Sequence, residues 1–151
     1  MTDIEIVENK NVTFRNVLSR VLESTNEESV QKSARMFDSY LKREKLQPYG
    51  PLIIRTTTKL IGKENVQSSE MLTQLRDPPS EVENPYSFEP MVRIENCLMA
   101  RYIGPRDQIQ MACAKMQVYA FEKQLDLRPV TYSVLTSEGG EFMADIFTEV
   151  L

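Results

Sequence analysis

Two stretches of the chain repeat apolar residues at helical spacing, and the segments around them are rich in β-branched residues. Thr25 stands three residues before Glu28 in the arrangement of a capping box, and Val30, Ala34, Phe37, Tyr40 and Leu41 then recur every three or four positions. The spacing predicts a helix from about Glu27 to Lys45. Its other side carries Gln31, Lys32, Arg35, Asp38, Ser39, Lys42 and Arg43, so one apolar stripe packs and the rest faces water. Pro48, Gly50 and Pro51 end that helix, and Leu52–Thr58 has the β-branched content of a strand. A second helix begins at Gly104-Pro105, where proline suits the first turn, and runs to about Gln124. Its seam is Ile109, Ala112, Cys113, Met116, Tyr119 and Ala120. Arg128-Pro129 breaks the run, and Val130–Thr136 reads as another strand.

The order of features repeats. Val30, Phe37, Tyr40 and Leu46 fall over Ile109, Met116, Tyr119 and Leu125 with one constant offset of 79 residues, which suggests a duplicated unit. An extended segment precedes each helix: Asn11–Leu18 in the first half, Met91–Tyr102 in the second. Each half therefore reads strand, helix, strand, strand, the halves covering about 1–76 and 86–151. The last strand of the first half lies within 66–76, and the pairing of residues 59–90 stays open. Gly139-Gly140 supplies the final turn and Phe142–Leu151 the final strand. Residues 77–85 hold Pro78, Pro79 and Pro85 and make a linker by composition. The expected class is α+β, in a single domain that accounts for all 151 residues.

Composition removes several functions. A net charge of −4, with no block of Lys and Arg, argues against nucleic acid as a partner. No apolar run is long enough for a signal peptide or a membrane span, so a cytoplasmic location without membrane contact is expected. Histidine is absent, which excludes Ser–His and Cys–His nucleophile pairs and the His-containing zinc sites. The five glycines are scattered and form no phosphate loop. No cofactor and no metal site is expected. Cys97 and Cys113 lack a paired spacing and read as buried thiols.

Three groups of residues resemble the GyrI-like small-molecule-binding domain, the effector-binding module at the end of some multidrug-responsive regulators that also occurs alone. They are Leu46-Gln47-Pro48-Tyr49-Gly50-Pro51 after the first helix, Tyr102-Ile103-Gly104-Pro105 before the second, and the terminal Asp145–Leu151. Glu149 stands where the family often ends its last strand with a proline. The resemblance implies an antiparallel sheet with two helices on one face and a concave ligand cleft between the halves on the other. It also implies a lipophilic ligand, often cationic, met by an acidic residue among aromatics.

Asp145 matches that acid, and alternation puts it on one strand face with Met143, Phe147 and Glu149. The expected ligand-binding set is Tyr49, Glu95, Tyr132, Met143, Asp145 and Phe147, since carboxylates and aromatic rings together hold organic cations. An exposed strand edge is the plainer account of Asp145. For Glu95, which alternates with Arg93, Cys97, Met99 and Arg101, the plainer account is an ion pair along or across the strands.

Eight methionines suit a surface that accepts varied apolar partners. Met111, Ala114, Val118, Phe121 and Leu125 form a second seam on the second helix. Either the first helix or a loop covers it, or it meets a second copy or another protein through Met111, Val118 and Phe121. The expected function is a non-catalytic binding module for a lipophilic small molecule, with no catalytic residues. Two other readings stay open: an interaction module with a vestigial cleft, and a hydrolase using Glu95, Asp145 and Glu149 as acid and base.

Overall fold

In the computed structural model, which describes residues 3–24, 26–138 and 141–151, the chain is α+β with six antiparallel strands and two helices. The order is β1 (Asp3–Leu22), α1 (Glu27–Arg43), β2 (Pro48–Ile61), β3 (Glu64–Leu75), β4 (Tyr86–Ile103), α2 (Gln110–Glu122), β5 (Leu127–Glu138) and β6 (Glu141–Val150). A 3₁₀ turn over Arg106–Gln108 follows Gly104-Pro105, so α2 starts later than the proline signal implies. Two compact units share these elements. The first comprises Thr13–Arg93, and the second comprises the chain up to Val12 together with Ile94–Leu151, so β1 and β4 each run through both.

In the first unit β3 is the middle strand, antiparallel to β1 (Leu18 opposite Thr73) and to β2 (Ile54 opposite Met71). This answers the open pairing for residues 59–75. Gly62, at φ 64°, lets a two-residue loop join β2 to β3 where a residue with a Cβ would be strained. One face of this sheet, with Leu18, Leu22, Met71 and Leu75, packs on Phe37, Tyr40 and Leu41 of α1. The second unit repeats the plan with β6 in the middle, antiparallel to β4 and β5. There Leu98, Ala100, Tyr102 and Ile146 pack on Ala112, Met116 and Ala120, which is the seam the helical spacing predicts.

The two helices end alike. Leu46 N–H donates to Leu41 O at 2.9 Å and Leu125 N–H to Ala120 O at 2.8 Å, just after Lys45 and Gln124 turn left-handed at φ 56° and 57°. Leu46 and Leu125 then fold back onto the cores of their own units. All of these positions obey the 79-residue offset of the apolar pattern. The start of α1 differs from the capping-box expectation. Asn26 is the cap, its Oδ1 accepting from Ser29 N–H at 2.8 Å, while Thr25 and the Gly139-Gly140 turn lie outside the described residues. Residues 77–85, expected as a linker, lie against α1: Val82 packs on the first core, and Glu83 N–H donates to Tyr40 Oη at 3.4 Å.

Both cysteines are free thiols, Cys97 buried and Cys113 half-buried. Burial, and then the charge of Glu149 opposite it in the ladder, push the Cys97 thiol from 9.0 up to about 11. Two stability measurements follow. Asn26→Ala should cost about 1 kcal/mol in urea unfolding, the usual worth of a lost helix cap. Folding holds Cys97 protonated, so its contribution is full below pH 9 and fades as pH rises to about 11. Over that interval the native protein should lose roughly 2 kcal/mol more than Cys97→Ala, and equal slopes would show that the thiol does not feel its surroundings. Tyr119, raised by its hydrogen bond to Glu8, is common to both proteins and cancels.

Candidate functional site

The helix-free face of the β4–β6–β5 sheet gathers most of the residues the sequence singles out. Side chains directly opposite in antiparallel strands share a face. The ladder sets Tyr132 opposite Phe147, Val134 opposite Asp145 and Thr136 opposite Met143, with Met99 and Arg101 on the far side of Phe147 and Asp145. Tyr132, Phe147 and Met99 are buried at 8%, 8% and 6% exposure, whereas Met143 is half-buried. The face therefore grades from a dry aromatic and thioether end to a more open charged end.

Asp145 is the charged centre and it is paired. Arg101 donates from Nε to Oδ1 at 2.8 Å and from a terminal nitrogen to Oδ2 at 3.0 Å. A planar guanidinium closed on a carboxylate in this two-bond fashion is the strongest geometry such a pair adopts. The side chains keep 45% (Arg101) and 20% (Asp145) of their exposure, so water and salt still reach the pair. The acid expected among aromatics thus has an arginine as its register partner on β4. Glu149 likewise sits 3.8 Å from Arg128, an exposed and weaker pairing.

Glu95 and Tyr49 lie apart from this arrangement. Asn96, at φ 53°, interrupts β4, and the ordered register with β6 begins only at Cys97. Strict alternation from Glu95 through Cys97 to Arg101 is thus broken, and Glu95 is exposed. Tyr49 belongs to the first unit, where its hydroxyl donates to Gln74 Oε1 at 3.2 Å and its ring is 38% exposed. That unit's own helix-free face carries a comparable cluster. Arg55, 14% exposed, makes two bonds to Glu70 at 3.0 and 2.9 Å and a third to Glu89 at 2.9 Å. Glu70 on β3 and Asp145 on β6 thus hold like places in the middle strands, each closed by an arginine from a neighbouring strand.

The second seam of α2 is uncovered. Met111, Val118 and Phe121 are 50%, 57% and 85% exposed, while Leu125, assigned to the same seam, packs on the core instead. Among the described residues these three side chains are left largely exposed. Among the described residues no group of three His, Cys, Asp or Glu is placed to hold a metal ion, and no helix is long and apolar enough to cross a membrane.

No family model and no curated protein matches the sequence. Solved structures do. The C-terminal domain of EcmrR aligns with 100% of this chain and 98% of its own length at a TM-score of 0.74 and 14% identity. EcmrR in a complex with DNA aligns at 0.71 and 14%, covering 99% of this chain and 57% of that longer one. A hydrolase from Listeria innocua aligns at 0.54 and 13%, over 98% of this chain and 91% of its own. At such identities the likeness is one of fold, and the fold is that of the EcmrR C-terminal domain.

Proposed function

We propose that this chain is a non-catalytic small-molecule-binding module of the GyrI-like kind, taking lipophilic ligands on the helix-free face of the β4–β6–β5 sheet. The observation that carries the reading is the register that lines up Tyr132, Phe147, Met99 and Met143 beside the Arg101–Asp145 pair. An apolar wall with one polar clamp at its open end is the usual make-up of a site for amphiphiles. The likeness to the EcmrR C-terminal domain supports the scaffold. Of the three carboxylates named for acid–base work, Asp145 is engaged by Arg101 and Glu149 lies 3.8 Å from Arg128, while Glu95 stands apart beyond the irregularity at Asn96.

The pairing also sets the charge preference. A lipophilic cation gains the Asp145 carboxylate only by displacing Arg101, whereas a neutral amphiphile leaves the pair intact. Thermal-shift titrations with lipophilic cations and with neutral amphiphiles test this. A ligand at about 100 times its dissociation constant stabilises the fold by roughly 2.7 kcal/mol. Arg101→Gln should raise the response to cations and leave that to neutral compounds unchanged, and Asp145→Asn should abolish the cation response. Silence of both ligand classes against the native protein would end the small-molecule reading.

The bare face of α2 favours a second role, contact with another protein or another copy through Met111, Val118 and Phe121. Phe121 buries almost nothing within the chain, so Phe121→Glu should change unfolding stability by less than about 0.5 kcal/mol. If α2 is an interface, the same change should dissolve any self-association seen by sedimentation. A dimer that survives it does not use this helix.

A further inference from the structure

A basic concavity in the first unit belongs to neither reading above. It is a groove of about 550 Å³ between α1, the end of β1 and residues 83–86. Arg20, Arg35 and Arg43 line it against a single carboxylate, Glu83. A chain of net charge −4 has thus set three guanidinium groups around one opening. Beside it a second depression of about 430 Å³ shares Arg20 and Met36 and adds one acid and one base, Glu23 and Lys32.

The arginines are placed by the floor of the groove. Tyr40 and Tyr86 stack with ring centres 3.9 Å apart and planes 16° from parallel. The Arg20 guanidinium lies 5.5 Å from the Tyr86 ring centre and donates to its hydroxyl at 3.2 Å. Arg43 lies 5.3 Å from the Tyr40 ring centre and donates to Glu83 and to Glu44, each at 3.3 Å, both loose contacts. Arg35 has no ion-pair or hydrogen-bond partner among the described residues. The two guanidinium groups held over rings lose little freedom on meeting an anion, while Arg35 brings open donors and has its own side chain still to order.

We infer that this groove binds a small organic dianion, a phosphate monoester or a paired carboxylate, between Arg20, Arg35 and Arg43. Glu83 and Glu44 both lie against Arg43, so Arg20 and Arg35 are the two guanidinium groups without a carboxylate partner among the described residues, and a dianion matches those two charges. The volume is that of a small-molecule site. No residue of the groove belongs to the lipophilic face of the other sheet, so either site can fail without the other.

The test is titration of the purified protein with phenyl phosphate and with phthalate at fixed ionic strength, followed by amide NMR. The expected result is saturable shifts at Ser39 and Asn84 that weaken about tenfold in Arg35→Gln, as removal of one charged hydrogen bond predicts. Arg35 is exposed, so this variant keeps its fold. Absence of saturation up to about 10 mM overturns the inference, because a site of that weakness holds no ligand at ordinary concentrations. So do shifts unaffected by both Arg35→Gln and Arg20→Gln, which mark nonspecific charge binding. Two further arms use duplex DNA and vesicles of phosphatidylglycerol. Binding to either without a response to phenyl phosphate or phthalate shows that the arginines meet a backbone or a membrane surface, and it likewise overturns the small-molecule site.

Discussion

The pairing of Arg101 with Asp145 governs the chemistry of the β4–β6–β5 sheet. β6 is the middle strand, with Ala144, Ile146 and Thr148 buried on the helix side and Phe147 buried on the other. A carboxylate in such a strand gives up part of its contact with water, and an arginine directly across the ladder supplies hydrogen bonds in its place. Removing a single member leaves a partly buried charge without its partner, which costs more than the pair contributes. The pair thereby fixes what else fits on that face. Thioether and aromatic groups occupy the dry end, and solvent reaches the end where the charges lie.

The first unit solves the same problem with different residues. Glu70 in the middle strand β3 is closed by Arg55, which also reaches Glu89, so two carboxylates share one guanidinium. That cluster carries a net negative charge where the Arg101–Asp145 pair carries none. The arginine comes from β2 in one unit and from β4 in the other. Like backbones with unlike charge arrangements give the two helix-free faces different electrostatic characters.

The fold was largely legible because its signals are local. Apolar spacing gave both helices to within a few residues, and the proline and glycine breaks gave the strands after them. The recurrence of Leu46 and Leu125 anticipated two helix ends whose capping bonds match. The register was less legible. Asn16 and Asn96 turn left-handed inside long strands, at φ 50° and 53°, and break the two-residue alternation that the placement of Glu95 assumed. A signal existed, since Asn is poor in strands and tolerates that conformation, and both asparagines precede a buried pair, Val17-Leu18 and Cys97-Leu98. The partner of Asp145 could not be read at all, because 44 residues separate it from Arg101 and only the ladder joins them.

Charge is where composition misleads most. A net charge of −4 describes the chain as a whole, yet it fixes nothing about any one surface, because acidic residues can gather elsewhere. In α1 the acids Glu27 and Glu28 sit in the first turn and the bases Lys42 and Arg43 in the last, an arrangement that suits the helix dipole. That ordering delivers Arg43 to the end of the groove where residues 83–86 cross the helix, and Arg35 follows two turns earlier on the same side. The segment that composition marks only as a proline-rich linker forms the opposite wall, with Tyr86 anchoring it by stacking on Tyr40. An anion-binding shape thus arises from a helix ordered by its own dipole and a connecting segment tied down by one aromatic pair, and neither feature alone would have placed three arginines around a single opening.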